Sequence, residues 1–229
     1  MHSVQARALA TLLLLWSYSA RAQFEGTLEL IPSGCEQIGQ CTLKNALRFT
    51  DSTKVVWEAK AGLPTDGASI PGIFQPFIGS TFDPKFIKAA VVHDHYRDRH
   101  VRPWRQTHKV FYVGLIVEGV SQAKAKTMYF AVFLGGPKWV TLEAGKNCGT
   151  NCVNNFKSTS GVAGVYSRRA DYRAPDVTSS VQSVAKLLEI NADSLSLDDL
   201  EQLATKLRPG DFFYKSGEKV DASLLGIAE

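Results

Sequence analysis

No single sign of charge dominates this sequence. Among 229 residues, 26 are Lys or Arg and 22 are Asp or Glu, a formal net charge of +4. Arg7 and Arg21 lie in an N-terminal stretch without acids, so from Gln23 onward 24 bases face 22 acids. A general nucleic-acid binder carries a strong basic excess, so that class is excluded. Long apolar runs are lacking too. Val110–Val117 and Met128–Leu134 fall far short of the ~20 residues a membrane span needs, and both fit buried helices. Internal repeats are absent. With 18 Gly, 9 Pro and 45% hydrophobic residues, collagen-like, low-complexity and wholly disordered classes are excluded as well.

The first residues form an address. His2 and Arg7 precede a short apolar stretch, Ala8–Trp16, and Ala20-Arg21-Ala22 supplies small residues at both positions that a signal peptidase reads. The expectation is a signal peptide over residues 1–22, cleavage before Gln23 and an exported protein, periplasmic or secreted. The mature chain is expected to have no transmembrane span.

Cysteine is scarce: the chain has four, in two local pairs, Cys35 with Cys41 and Cys148 with Cys152. An oxidising compartment favours disulfides. Each pair is close in sequence and lies among turn formers, so local bridges are expected, each pinning a loop. A four-cysteine zinc site would need ligand spacings that neither pair repeats.

Alternating apolar residues over Gln23–Ile31, Thr42–Phe49 and Lys54–Ala61 predict strands, the last two joined as a hairpin by Thr50-Asp51-Ser52-Thr53. Leu63–Pro71 holds two prolines and a glycine and is neither regular helix nor central strand. Helices are predicted from Asp83-Pro84 to about Asp98, from Pro103 to Gly119, from Ser121 to Gly135, and over Val177–Ile190 and Leu197–Leu207. Residues 141–175 read as loop. Strands early and helices late predict an α+β fold: a small antiparallel sheet or hairpin packed on a helical layer, with a short helical C-terminal extension. The organisation expected is an α+β domain over 23–140, a loop-rich, disulfide-pinned segment over 141–175 and the extension over 176–229.

Chemistry-bearing residues concentrate between Thr65 and His108. Phe86, Ala89, Ala90 and His93 share one helical face, and Asp94 lies one position round. His108, Phe111, Tyr112 and Leu115 share a face of the next helix. A histidine or carboxylate at the edge of an apolar stripe must be paired or ligated. Two imidazoles with Asp66, from the loop before the first helix, make a donor set for a divalent metal, zinc favoured, with one position open for water. His93, His108 and Asp66 are the candidate ligands; Asp94 and Asp66 are the candidate catalytic carboxylates, Asp94 as base or as the group orienting a histidine. The alternative is a structural Asp/His network, since a histidine on an apolar face is more often a satisfied core residue. The run Arg97-Asp-Arg-His-Val-Arg-Pro-Trp-Arg105 offers Arg97, Arg99, Arg102, Trp104 and Arg105 to an anionic ligand or a cell-envelope polymer, or else forms a solvated loop.

Two strands, then Leu63-Pro-Thr-Asp-Gly-Ala-Ser-Ile-Pro71, a helix carrying Ala89-Ala-Val-Val-His-Asp94, and a further helix with a ligand-capable residue before an aromatic form an ordered pattern. It resembles a bacterial and phage family catalogued as domain of unknown function family 1353, over about residues 43–139. That family usually has tyrosine four residues after the histidine, where this chain has Arg97, and aspartate where His108 aligns. Aspartate in place of histidine keeps a metal ligand, so the resemblance implies a site at Asp66, His93, Asp94 and His108 without implying a reaction. A His-Asp pair on a helix is also similar to secreted phospholipases A2, but their calcium loop and the cysteines beside the histidine are missing; Val91 and Val92 precede His93. The functional expectation is an exported metal-dependent hydrolase acting on a cell-envelope polymer such as peptidoglycan. The alternative is a non-catalytic envelope or secretion-associated binding module.

Overall fold

Residues 21–67, 82–143 and 164–221 are described by the computed structural model. The leader up to Ala20, the Ala68–Pro71 part of the motif and the Cys148–Cys152 pair lie outside the described residues.

The chain builds antiparallel strands first and helices after them, an α+β fold. Strands β1 (Gln23–Glu25), β4 (Leu47–Thr50) and β5 (Val56–Ala59) form one sheet in the order β1-β4-β5. Strands β2 (Leu30–Ile31), β3 (Cys41–Leu43) and β6 (Pro64–Thr65) form a second, with the proline-containing β6 at an edge, where a missing N–H is tolerated. The β4–β5 hairpin pairs Phe49 with Trp57 and Leu47 with Ala59. Asp51 closes it, its Oδ1 accepting from the backbone N–H groups of Thr53 (2.8 Å) and Val55 (3.0 Å). The Cys35–Cys41 disulfide closes the short loop into β3.

Helix α1 (Ile87–Arg99) is the centre of the molecule. One side packs on the hairpin through Val91, Val92 and Tyr96, and Tyr96 Oη accepts from the Glu58 N–H at 2.9 Å. The other side packs through Ala89 and Ala90 on α2 (Trp104–Val117) and α3 (Gln122–Gly135). The sequence shows one apolar face on α1; two are used, which is why Ile87 and every residue from Ala89 to Tyr96 is buried. The helix also starts later than Asp83-Pro84 predicts, since Phe86 occupies the N-cap position. Gly114 lets α2 approach closely: a Cβ there would stand 2.9 Å from the Ala89 Cβ and 3.3 Å from Phe24.

The C-terminal part belongs to the same core. Helices α4 (Pro175–Ile190) and α5 (Leu197–Leu207) bury Val177, Val181, Leu188 and Leu200 in the core cluster that includes α3. Helix α5 is opened by a capping box between Ser196 and Asp199, a cap worth about 1 kcal/mol. A short α6 (Phe212–Lys215) follows. Strand β7 (Lys138–Glu143) pairs antiparallel with β8 (Val165–Arg168) and parallel with β9 (Lys219–Asp221). This third sheet falls partly within the segment expected to be loop. No helix among the described residues is long and apolar enough to cross a membrane.

Candidate functional site

The C-terminal half of α1 and the start of α2 bring His93 and His108 together. Their helical faces meet because the apolar residues sharing those faces, Ala89 and Ala90 with Phe111 and Leu115, are buried in one core cluster. Both imidazoles are buried, His93 4% and His108 0% exposed. His93 Nε2 lies 2.9 Å from His108 Nδ1, and His108 Nε2 lies 3.0 Å from the carbonyl of Pro137.

The hydrogen positions follow from the end of this chain. A carbonyl only accepts, so His108 donates from Nε2 to Pro137. Burial pushes the His108 imidazole well down from its ordinary pKa, with the neighbouring His93 and the Lys138 charge acting the same way, so it is neutral at pH 7. A neutral ring with Nε2 protonated has a bare Nδ1, and that Nδ1 accepts the Nε2–H of His93. Burial also lowers His93, against the opposing pull of Asp94. His93 is therefore left with a bare Nδ1, 3.5 Å from Asp94 Oδ1. The result is a directed line of two hydrogen bonds, from His93 to His108 to the Pro137 carbonyl, with Asp94 facing the bare Nδ1 of His93.

Asp94 itself is 4% exposed and has a cation at hand, the Arg97 guanidinium 3.3 Å from Oδ1. Arg97 also pairs with Asp98 at 2.9 Å. Asp94, Arg97 and Asp98 form the helical side of a cleft of about 570 Å³, and Thr65 and Asp66 come from the strand side. The Thr65 hydroxyl accepts from the Gly67 N–H at 3.1 Å, shaping the turn beside Asp66. The structure thus brings Asp66 and Asp94 to one cleft and His93 to His108.

A metal ion shared by His93, His108 and Asp66 does not fit this geometry. Both ring nitrogens of His108 are already engaged. Two imidazole nitrogens around a tetrahedral zinc, each ~2.0–2.1 Å from it, stand roughly 3.3 Å apart, whereas these are at hydrogen-bond distance. Among the described residues, the three-donor group close enough to hold an ion is Cys35, Glu36 and Cys41, whose sulfurs form the disulfide. His108 is therefore the residue that fixes the tautomer of His93, a role a metal-ligand expectation does not contain.

The basic run is dispersed. Trp104 is buried, 3% exposed, within the helical core. Arg102 lies over the Trp57 ring at 4.3 Å and donates to the Val56 carbonyl. Arg105 stacks on Trp104 and donates to the Tyr214 carbonyl. Arg99 is exposed, and Arg97 is the one arginine of the run that lines the cleft with Asp66 and Asp94. Two contributors escape sequence reasoning. The Pro137 carbonyl carries no side-chain signal. Lys138 stands in a strand, where a lysine normally faces water, yet it is 0% exposed.

Comparison with known proteins locates the chain. A sequence profile of the family described as "Protein of unknown function (DUF1353)" matches residues 41–132. "Uncharacterized protein y4iH" of Sinorhizobium fredii (strain NBRC 101917 / NGR234) is 36% identical over 169 residues, covering 73% of this chain and 71% of its own length. The chain belongs to the DUF1353 family. A further relative from the same organism, "Uncharacterized protein y4jT", is 30% identical over 234 residues, covering 90% of this chain and 68% of its own. No solved structure matches the chain significantly. The DUF1353 span holds Asp66, His93, Asp94, Arg97 and His108, while Pro137 and Lys138 fall beyond it.

Proposed function

We propose that this DUF1353 protein is an exported hydrolase of a cell-envelope polymer, peptidoglycan first among the candidates, with Asp94 as its acid–base residue and Asp66 as the second carboxylate of the cleft. The observation that carries the reading is the hydrogen-bonded line from Pro137 through His108 to His93, whose bare Nδ1 faces Asp94. Buried ionisable groups are costly to a fold. Here the histidine pair ends beside Asp94, which lines a cleft that a second carboxylate shares.

The chemistry is the addition of one water across the scissile bond. The water oxygen bonds to the electrophilic carbon as its proton passes to Asp94, and the departing group takes a proton back from the same carboxyl. The bare Nδ1 of His93 stands beside Asp94 as a reserve for that proton. On receiving it, His93 becomes an imidazolium donating to both Asp94 and His108. Asp66 holds a hydroxyl or amide of the substrate from the strand side. The short apolar leader and the Cys35–Cys41 disulfide support export.

One observation favours a second reading. His108 is fully buried with both nitrogens satisfied, as in a structural network, and such a network suits an envelope-binding module without catalysis. Release of soluble fragments from purified peptidoglycan separates the two. The hydrolase reading expects release by the wild type and a loss of at least about a hundredfold in Asp94→Asn, the usual weight of a general acid–base. A wild type that binds the polymer and releases nothing rejects catalysis.

A further inference from the structure

Arg97 and Asp98 also line a second cleft of about 470 Å³, between the end of α1 and β8. Its walls carry Arg97, His100, Arg168 and Arg169 against one carboxylate, Asp98. Three features of these residues point to a ligand.

The first is the side-on fork of Arg168. Its Nη1 is paired with Asp211 at 2.6 Å and its guanidinium lies over the Phe213 ring, but Nε and Nη2 are shielded from solvent and have no hydrogen-bond partner among the described residues. Those two N–H groups point in parallel and match the two oxygens of a carboxylate or phosphate. Leaving them unsatisfied costs on the order of 1–3 kcal/mol each. The second is Arg169, which is exposed and has no ion pair among the described residues. The third is His100, the C-cap of α1. It sits in the left-handed region at φ 54°, where glycine is usual, and its ring packs on Trp139 with centroids 4.6 Å apart.

We propose that this cleft is an oxyanion-binding site, with the Arg168 fork as its bidentate anchor and Arg169 and His100 at its mouth, taking a phosphate or carboxylate group of a ligand. Arg97 stands between the two clefts, so an anionic group held here places the rest of the same molecule toward Asp94 and Asp66. The site stands apart from the hydrolytic reading and does not require it.

The test is titration of the purified protein with inorganic phosphate and, in parallel, acetate, followed by NMR at the Arg168 Nε–H and the His100 ring. The expected result is a saturable shift of the Arg168 Nε–H and a rise of the His100 pKa with ligand. Arg169→Ala, at an exposed position, folds and binds about tenfold more weakly, and Arg168→Lys, which keeps the charge and removes the fork, loses at least as much when read at His100. Tighter phosphate binding identifies a phosphate-bearing ligand, and tighter acetate binding a carboxylate-bearing one. No saturable shift with either anion, or equal affinity in wild type and both variants, overturns the proposal. Asp66→Asn keeps phosphate binding unchanged whatever happens to hydrolysis, so the two readings fail separately.

Discussion

Lys138 offers the sharpest quantitative consequence of this packing. Its amine is 0% exposed, donates to the carbonyls of Leu134 (3.1 Å) and Gly136 (3.3 Å), and lies over the rings of Trp104 and Tyr214. Burial, helped by the Arg168 charge and opposed by Asp211, lowers its pKa from 10.5 to about 7. Each pKa unit is worth about 1.4 kcal/mol, so a protonated Lys138 costs the folded state on the order of 5 kcal/mol relative to the unfolded chain. Between about pH 7 and 10.5 the unfolded chain holds the proton and the folded chain does not. Stability contributed by Lys138 is therefore complete above the upper value and lost as pH falls through the lower one. Lys138→Met keeps the length of the side chain and removes the proton. It leaves two helix-terminal carbonyls without this donor, a pH-independent loss of roughly 1–3 kcal/mol each at most. Urea unfolding at pH 7 and pH 9 isolates the titration: the wild type gains about 2 kcal/mol over the variant across that interval. Parallel pH dependences in the two proteins refute a neutral buried amine.

Three further outcomes are expected. Gly114→Ala drives a methyl against Ala89 and Phe24, and overpacking of about 1–3 kcal/mol outweighs the gain in helix propensity, so urea unfolding records a net loss; a stabilised variant contradicts the close approach of α1 and α2. Replacing Cys35 and Cys41 together by Ser removes a short loop closure worth about 2 kcal/mol, and peptide mapping of unreduced protein finds that bridge and Cys148–Cys152, whereas free thiols or a Cys41–Cys148 cross-link contradict local pairing. N-terminal sequencing of exported protein finds Gln23, and an intact Met1 in that fraction contradicts cleavage.

Local signals carried much of this architecture. The β4–β5 turn is written in Asp51, the start of α5 in Ser196 and Asp199, and the end of α3 in the Gly135-Gly136-Pro137 breaker. Contacts distant in sequence were not legible. The parallel pairing of Thr141 with Lys219 joins residues whose local pattern shows no partner, and the second buried side of α1 exists only because the hairpin packs on Val91 and Val92. At the site, that His93 and His108 each lie on an apolar helical face was legible, though not that the two faces meet. Their division of labour was not, because it depends on a backbone carbonyl from a breaker 29 residues beyond His108. Composition likewise showed a cluster of arginines but not how each is used, since Arg102 and Arg105 are consumed by carbonyls of β5 and α6.

The tautomer of His93 is the hinge between the fold and its chemistry. A long-range ¹⁵N–¹H spectrum of the histidine side chains at neutral pH measures it directly. The hydrogen-bonded line predicts protonated Nε2 and bare Nδ1 for both His93 and His108, and His108→Ala releases His93 from that single tautomer while lowering the proposed hydrolysis. A wild-type His93 protonated at Nδ1 and bare at Nε2, or an unchanged His93 spectrum in His108→Ala, contradicts the line that joins Pro137 to His93.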